Sequence, residues 1–330
     1  ELVAAREEIS NHHHPAQRGR ALPGWVWALP ALLLLALLLT GNRWPDAPRS
    51  FYAAWDQGHI VAFALWTALF LRRYPHLTGK GLGYQLAAVL SFAWICGGIA
   101  ECLQMLGGNG PPSMVDMGRN LLGALTGWAF FSSGPERCPP AIRQSSRWIV
   151  AALILVSLLP LARALLDEFQ ARRAFPVLAA FDQPFELDRW SGGAHYTITR
   201  PGFAPQNSML KIDLQTTRYS GVALNHFPRD WRGYDSFAFS IYNPEASPLE
   251  VVCRVNDRRH SREGHRYADR FNRGFSLSPG WSHLRIPLEE IAAALEHRRM
   301  DLEDVLQVGI FTVDLPAPRT LYLDDMRLIP

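Results

Sequence analysis

The sequence predicts a fold in two parts, a bundle of five membrane-spanning α-helices followed by an all-β jelly-roll sandwich. Three observations predict it. Charge is divided unevenly along the 330 residues: Ala21–Leu165 holds 10 basic and 5 acidic residues in 145, whereas Phe175–Pro330 holds 18 and 20 in 156. The first half contains apolar runs close to the ~20 residues that a bilayer core demands. The second half alternates apolar and polar residues with period two, the signature of half-buried strands. The first half is too apolar for a soluble domain and the second too polar to enter a bilayer, which excludes a purely cytosolic enzyme. The net charge of +3 is spread along the chain and leaves no nucleic-acid footprint.

Residues 1–22 read as a polar tail, and three histidines within it, His12 to His14, do not make a metal site. The expected helical domain covers 23–165. Its first span runs from about Pro23 to Thr40, flanked by Trp25, Trp27 and Trp44 at interfacial positions. No small-x-small cleavage site follows Leu39, so this span reads as a retained anchor rather than a signal peptide. The others cover about Ala53–Leu71, Leu82–Leu106, Met114–Phe131 and Trp148–Leu165, with Gly107 to Pro112 as a strong breaker. Residues 166–175 read as a linker. The four cysteines, Cys96, Cys102, Cys138 and Cys253, form no disulfide framework.

Orientation follows from the short loops. With the N-terminus inside, Arg6, Arg18, Arg20, Arg72, Arg73, Lys80, Arg137, Arg143 and Arg147 fall on the cytoplasmic side. Arg43, Arg49, Arg163, Arg172 and Arg173 fall on the other, so the C-terminal half is expected outside the cytoplasm. The rare polar residues of the spans then gather at one end of the bundle. Asp56 and His59 open the second span, Glu101 and Gln104 close the third, and Asp116, Arg119 and Asn120 open the fourth. Ionisable groups at such depth are expensive and normally face one another or a wet cavity. Gly97, Gly123 and Gly127 would let the third and fourth spans pack closely. The cluster fits polar contacts that hold the bundle, a ligand or head-group site, or an acid/base site of Asp56, His59, Glu101 and Asp116, although no nucleophile is evident.

The segments D-Q-G-H (Asp56 to His59), E-C-L-Q (Glu101 to Gln104) and D-M-G-R-N-L-L-G (Asp116 to Gly123) resemble the VanZ-like family of small bacterial membrane proteins over about Asp46 to Ser132. Gln57 stands where that family usually has Lys, and G-G-N-G-P-P where it tends to have Arg. The resemblance implies a cell-envelope role at the bacterial inner membrane.

From Pro176 the strands follow in order. Leu210, Ile212 and Leu214 alternate with polar neighbours, as do Phe237, Phe239 and Ile241, and Leu249, Val251, Cys253 and Val255. Some ten short strands in such a length indicate a β-sandwich, with one helix at about Leu288 to Leu295. In the last strand the apolar phase slips from Leu321 and Leu323 to Met326 and Leu328, which places a bulge at Asp324-Asp325. The segments F-D-Q-P-F (Phe181 to Phe185), G-W-S-H-L-R-I-P-L (Gly280 to Leu288) and L-Y-L-D-D-M-R-L (Leu321 to Leu328) resemble jelly-roll carbohydrate-binding modules of the galactose-binding-like fold. Members often hold a structural calcium between first and last strands, for which Asp182, Asp324 and Asp325 are the oxygen donors to expect here. No other cofactor is expected.

The segment from Asn256 to Arg273 packs six arginines with Asp257, His260, His265, Tyr267, Asp269 and Asn272. Bidentate Arg and Asp with a stacking Tyr are what a glycan needs, and a solvated salt-bridged loop would have the same composition. The candidate glycan-binding residues are Arg254, Asp257, His260, Tyr267, Asp269, Arg270 and Asn272, with Trp231 and Tyr234 as an aromatic platform. These residues together suggest a non-catalytic membrane protein carrying an exported sugar-binding head, with the bilayer and a polysaccharide or lipid-linked glycan as partners. A membrane-embedded acid/base enzyme acting on a lipid-linked glycan and a protein-docking module are the alternatives.

Overall fold

The computed structural model describes residues 47–108, 111–131 and 139–330, together with Leu32 and Ala36. The expected first span and Cys138 lie outside the described residues, those two positions apart. The chain divides into two compact units, one holding Asp56–Ile154 and the other Leu155–Pro330 together with residues 47–55.

Helices α1 (Arg49–Arg73), α2 (Leu82–Leu106), α3 (Met114–Thr126) and α4 (Pro140–Ser157) follow in order. α1 ends just before Tyr74-Pro75, since the residue preceding a proline is pushed out of the helical region. α2 ends at Gly107-Gly108, where Gly108 takes a φ of +82°. Ser113 caps α3 by accepting from the Asp116 amide at 3.1 Å, and a π-helical turn, Gly127–Phe131, continues it.

Two helical runs among the described residues, not five, are long and apolar enough to cross a membrane: Leu82–Leu106 and Pro140–Ala174. α1 has the length, but Asp56, Gln57 and His59 dilute its apolar run. α3 has 13 residues, about 20 Å of helix, well short of the ~30 Å hydrocarbon core. The expected fifth span begins earlier, at Pro140, and is interrupted at Leu158. Helix α5 (Leu159–Ala174) then carries the chain through the segment expected to be a linker. Both apolar runs leave large side chains outward, among them Trp94, Ile95 and Ile99, and Trp148, Ile149 and Leu155.

The glycine faces differ from expectation in part. Gly97 of α2 does abut α3, since a Cβ there would meet Asn120 and Met117. Gly123 and Gly127 instead abut α1, against Ile60 and Phe63, and Ala64 and Thr67.

The second unit is an antiparallel β-sandwich of eleven strands. One sheet orders β3 (His195–Thr199), β4 (Met209–Leu214), β11 (Arg319–Ile329), β6 (Ser236–Asn243) and β9 (Gly280–Pro287), with β1 (Val177–Ala179) also paired to β11. The other orders β2 (Trp190–Gly192), β5 (Tyr219–Leu224), β10 (Val305–Val313), β7 (Leu249–Asp257) and β8 (Phe271–Leu277). The inward rows read from the sequence are all buried, Phe237, Phe239 and Ile241 facing partners such as Val251, Cys253 and Val255 in one core. Burial raises the Cys253 thiol pKa far above its usual value. The register of β11 shifts between Asp324 and Arg327, and Asp325 takes a φ of +52°. This bulge lets Leu321 and Leu323, then Met326 and Leu328, all face the core. The expected helix is α7 (Leu288–Ala293), and a short α6 (Arg258–Arg262) precedes β8.

A charged knot ties α5 to the sandwich. Asp167, 1 % exposed, takes Arg189 Nε at 2.8 Å and Nη2 at 2.6 Å and also pairs with Arg49. Buried charge of this kind survives only when paired and hydrogen-bonded, and Arg189 donates further to the Leu178 carbonyl at 3.1 Å.

Candidate binding groove and helical polar cluster

The outer face of the five-stranded sheet is polar. Strand alternation puts Arg254 and Asn256 of β7, Gln307 of β10 and Asn272 of β8 on the side away from the core. Arg254 donates to Gln307 Oε1, Gln307 Nε2 donates to Asn225 Oδ1 at 2.6 Å, and Asn225 Nδ2 donates to Ser191 Oγ at 2.9 Å. This relay crosses β7, β10, the end of β5 and β2, and it fixes the guanidinium.

Asn225, Arg254, Asn256 and Gln307 face a cavity of about 460 Å³ that is also lined by His226, Arg229, His260, Ser261, His265 and Arg270. Among the described residues, no carboxylate lines it. Arg254 and Arg270 have no carboxylate partner among the described residues, and Arg270 lies 5.3 Å from the Tyr267 ring centroid. Burial, then the charge of Arg270, lowers the Arg254 pKa. Burial also lowers the His226 pKa to about 4, helped by Arg49 and Arg229, so His226 is neutral near pH 7. His260, 2 % exposed, is held below the usual histidine value by burial and then by Arg270. Two buried guanidinium nitrogens here, Arg254 Nε and Arg270 Nε, have no hydrogen-bond partner among the described residues, and His260 Nδ1 has only the Asp269 carboxylate at 3.6 Å. Such groups are costly when left unmade, so their concentration in a cavity points to a ligand.

The structure sorts the sequence candidates. It brings Arg254, His260 and Arg270 into the cavity, with Asn272 opposite Arg254 on β8. Tyr267 is exposed on the 3₁₀ turn Tyr267–Asp269. Asp257 and Asp269 are turned to structural work: Asp257, fully buried, caps α6 through the His260 amide at 3.0 Å, and Arg298 clamps both acids. Trp231 forms no platform. It is fully buried, its ring 5.3 Å from that of Phe237, while Tyr234 packs edge-on against Phe175. Both were misread because aromatics in a turn-rich segment have no period to show which way they face. Asn225, His226, Asn256 and Gln307 were missed, since only strand register brings them beside Arg254.

The three carboxylates expected to hold calcium come together. Asp182, Asp324 and Asp325 line one cavity, but no group of three or more His, Cys, Asp or Glu among the described residues is arranged to hold an ion. Arg327 pairs with Asp325.

In the helical unit, polar side chains of α1 and α3 meet, and Glu101 of α2 reaches the N-cap of α3. Arg119 pairs with Asp56 at 3.0 Å and with Asp116. His59 Nδ1 lies 2.9 Å from Asn120 Oδ1, and Glu101 Oε2 accepts the Ser113 amide at 2.7 Å. Gln104 is half-buried one turn beyond Glu101. Each group of the acid/base alternative thus makes a contact within the bundle, while Glu101 Oε1 is buried without a hydrogen-bond partner among the described residues.

No family model and no curated protein matches the chain. Solved structures resemble the sandwich. An exo-β-agarase is 16 % identical over 47 % of this chain, with a TM-score of 0.38, and the chain spans only 24 % of that enzyme. A family 11 carbohydrate-binding module from Clostridium thermocellum, in complex with a β-1,3-1,4-mixed-linked tetrasaccharide, is 14 % identical over 46 % of this chain and 94 % of its own, with a TM-score of 0.36. A family 28 module specific for non-crystalline cellulose is 9 % identical over 48 % and 94 %, with a TM-score of 0.34. At these values the likeness carries no functional argument.

Proposed function

We propose that this chain is a non-catalytic, membrane-anchored polysaccharide-binding protein whose sandwich holds an acidic glycan in the groove of its five-stranded sheet. The observation that carries this reading is the meeting of Arg254 and Arg270 in one cavity without a carboxylate. Two half-buried guanidiniums facing one space repel each other, and a bound carboxylate or sulfate offsets that cost through charge-assisted, bidentate bonds. Neutral His226 and His260 and the amides of Asn225, Asn256 and Gln307 then serve the hydroxyls.

The two apolar helical runs support anchorage in a membrane, and an extracytoplasmic sandwich at a bacterial inner membrane is the placement in which it would meet an envelope glycan. The VanZ-like resemblance of Asp56–Gly123 fits an envelope role, with the polar cluster bracing the bundle. Engagement of Asp56, His59, Glu101 and Asp116 favours that bracing role over acid/base catalysis.

Calorimetric titration of the full chain in lipid nanodiscs with polyuronate and neutral hexasaccharides tests the reading. Acidic oligomers should bind at low salt and weaken as salt rises. The double variant Arg254→Ala/Arg270→Ala should lose at least about tenfold in affinity for them. Binding of acidic oligomers that is absent, or untouched by the double variant, rejects it.

A further inference from the structure

The outer face of the six-stranded sheet carries a second arrangement. In register across three strands, Tyr322 of β11 stands beside Tyr242 of β6, and Tyr242 beside Trp281 of β9. The Tyr242 and Trp281 ring centroids are 5.3 Å apart, and Phe203 stacks on Tyr242 at 3.9 Å. None of these is needed for the core, which the inward row of the same strands already fills. Trp281 remains 41 % exposed, an arrangement that the hydrophobic effect disfavours unless something covers it.

The next row along the same strands is polar: Asp324, Ser240 and His283. His283 Nδ1 lies 2.8 Å from Ser240 Oγ, and its ring runs parallel to the Trp281 indole, tilted by only 4°. Trp281 and this polar row wall a cavity of about 430 Å³, which Asp182 and Asn207 also line.

We infer that this cavity is a second carbohydrate site, one that takes a neutral pyranose and is independent of the Arg254 groove. A pyranose has an apolar face of C–H groups and a rim of hydroxyls. The Trp281 indole matches the face, and Asp324, Ser240, His283 and Asn207 supply donors and acceptors for the rim. Acidic sugars are disfavoured, because Asp182, Asp324 and Asp325 line the cavity against a single Arg327 that is already paired with Asp325. Burial, with the charges of Asp325 and Asp182, pushes the Asp324 carboxyl up to about 6, so near pH 7 it is ionised and adds to the charge that turns acidic sugars away. With one site on each sheet, a single sandwich can hold an acidic chain and a neutral one together.

The test is titration of the full chain in nanodiscs, free of sugar-based detergents, with neutral gluco-, galacto- and manno-hexasaccharides and with a glucosamine oligomer. At least one neutral hexasaccharide should bind, and Trp281→Ala should weaken it by at least about tenfold. His283→Ala, at a second exposed position, should weaken it too, with melting temperature as the check on folding. Arg254→Ala/Arg270→Ala should leave neutral binding within about twofold. That separates failure of this site from failure of the groove. No neutral binding, neutral binding indifferent to both Trp281→Ala and His283→Ala, or binding of the cationic oligomer alone overturns the inference.

Discussion

His59 Nδ1 and Asn120 Oδ1 lie 2.9 Å apart, a buried contact between side chains 61 positions apart that joins α1 to α3. Asn120 is fully buried, and its amide nitrogen faces Gly97, where a Cβ would approach to 2.7 Å. The contact therefore sits where three helices close on one another. Asn120→Ala leaves the imidazole without its partner and should cost about 1–3 kcal/mol. The melting temperature of the full chain in nanodiscs should fall, and an unchanged value would show that the contact contributes nothing.

Arg298 holds the segment that shapes the groove. Its Nη2 reaches Asp257 at 2.8 Å and Asp269 at 2.9 Å, and Asp257 also accepts the Asp301 amide at 2.9 Å. Burial opposes ionisation of Asp257. Hydrogen bonds from Arg298 and from the Asp301 and His260 amides outweigh it, so the carboxyl titrates below 3.8. A depressed carboxylate contributes stability above its unfolded value and loses it as pH falls through the folded one. Arg298→Leu strands a buried carboxylate, which should destabilise the sandwich by about 3–5 kcal/mol at neutral pH. The gap to the unaltered chain should narrow as pH falls, because without Arg298 burial makes the folded variant protonate Asp257 at higher pH than the unaltered fold does, while the unfolded chains titrate alike. A gap that stays constant with pH would mean that Arg298 acts by packing alone.

Local signals made the architecture legible. The period-two rows through Phe237–Ile241 and Leu249–Val255 marked buried strands, and the phase slip between Leu323 and Met326 marked the bulge, because each is written in neighbouring residues. Convergence of Asp56 and Asp116, both on Arg119, was legible as well, since charge in apolar helices has to find a partner. Contacts set by register were not legible. Gln307 meets Arg254 only because β10 pairs with β7, and Arg298 reaches Asp257 across 41 residues. Apolar content also overstated the spans: an 18-residue apolar stretch from Met114 to Phe131 does not reveal that regular helix gives way to a π turn at Gly127.

The Asp324 carboxyl is shifted in the opposite direction to that of Asp257. Burial, then Asp325 and Asp182, raises the Asp324 carboxyl from 3.8 to about 6. Below pH 3.8 folded and unfolded chains both carry the proton. Between 3.8 and about 6 the folded chain keeps a proton that the unfolded chain has released, so stability falls as pH rises, and the loss is complete above about 6. Asparagine cannot ionise, yet its Oδ1 can still accept the Asp325 amide, which Asp324 now takes at 2.8 Å. Asp324→Asn should therefore raise the melting temperature at neutral pH, by less at each step down through pH 6, and by nothing below pH 3.8. An increment of the same size at every pH would mean that the gain comes from packing, and that the carboxyl is not strained by its neighbours.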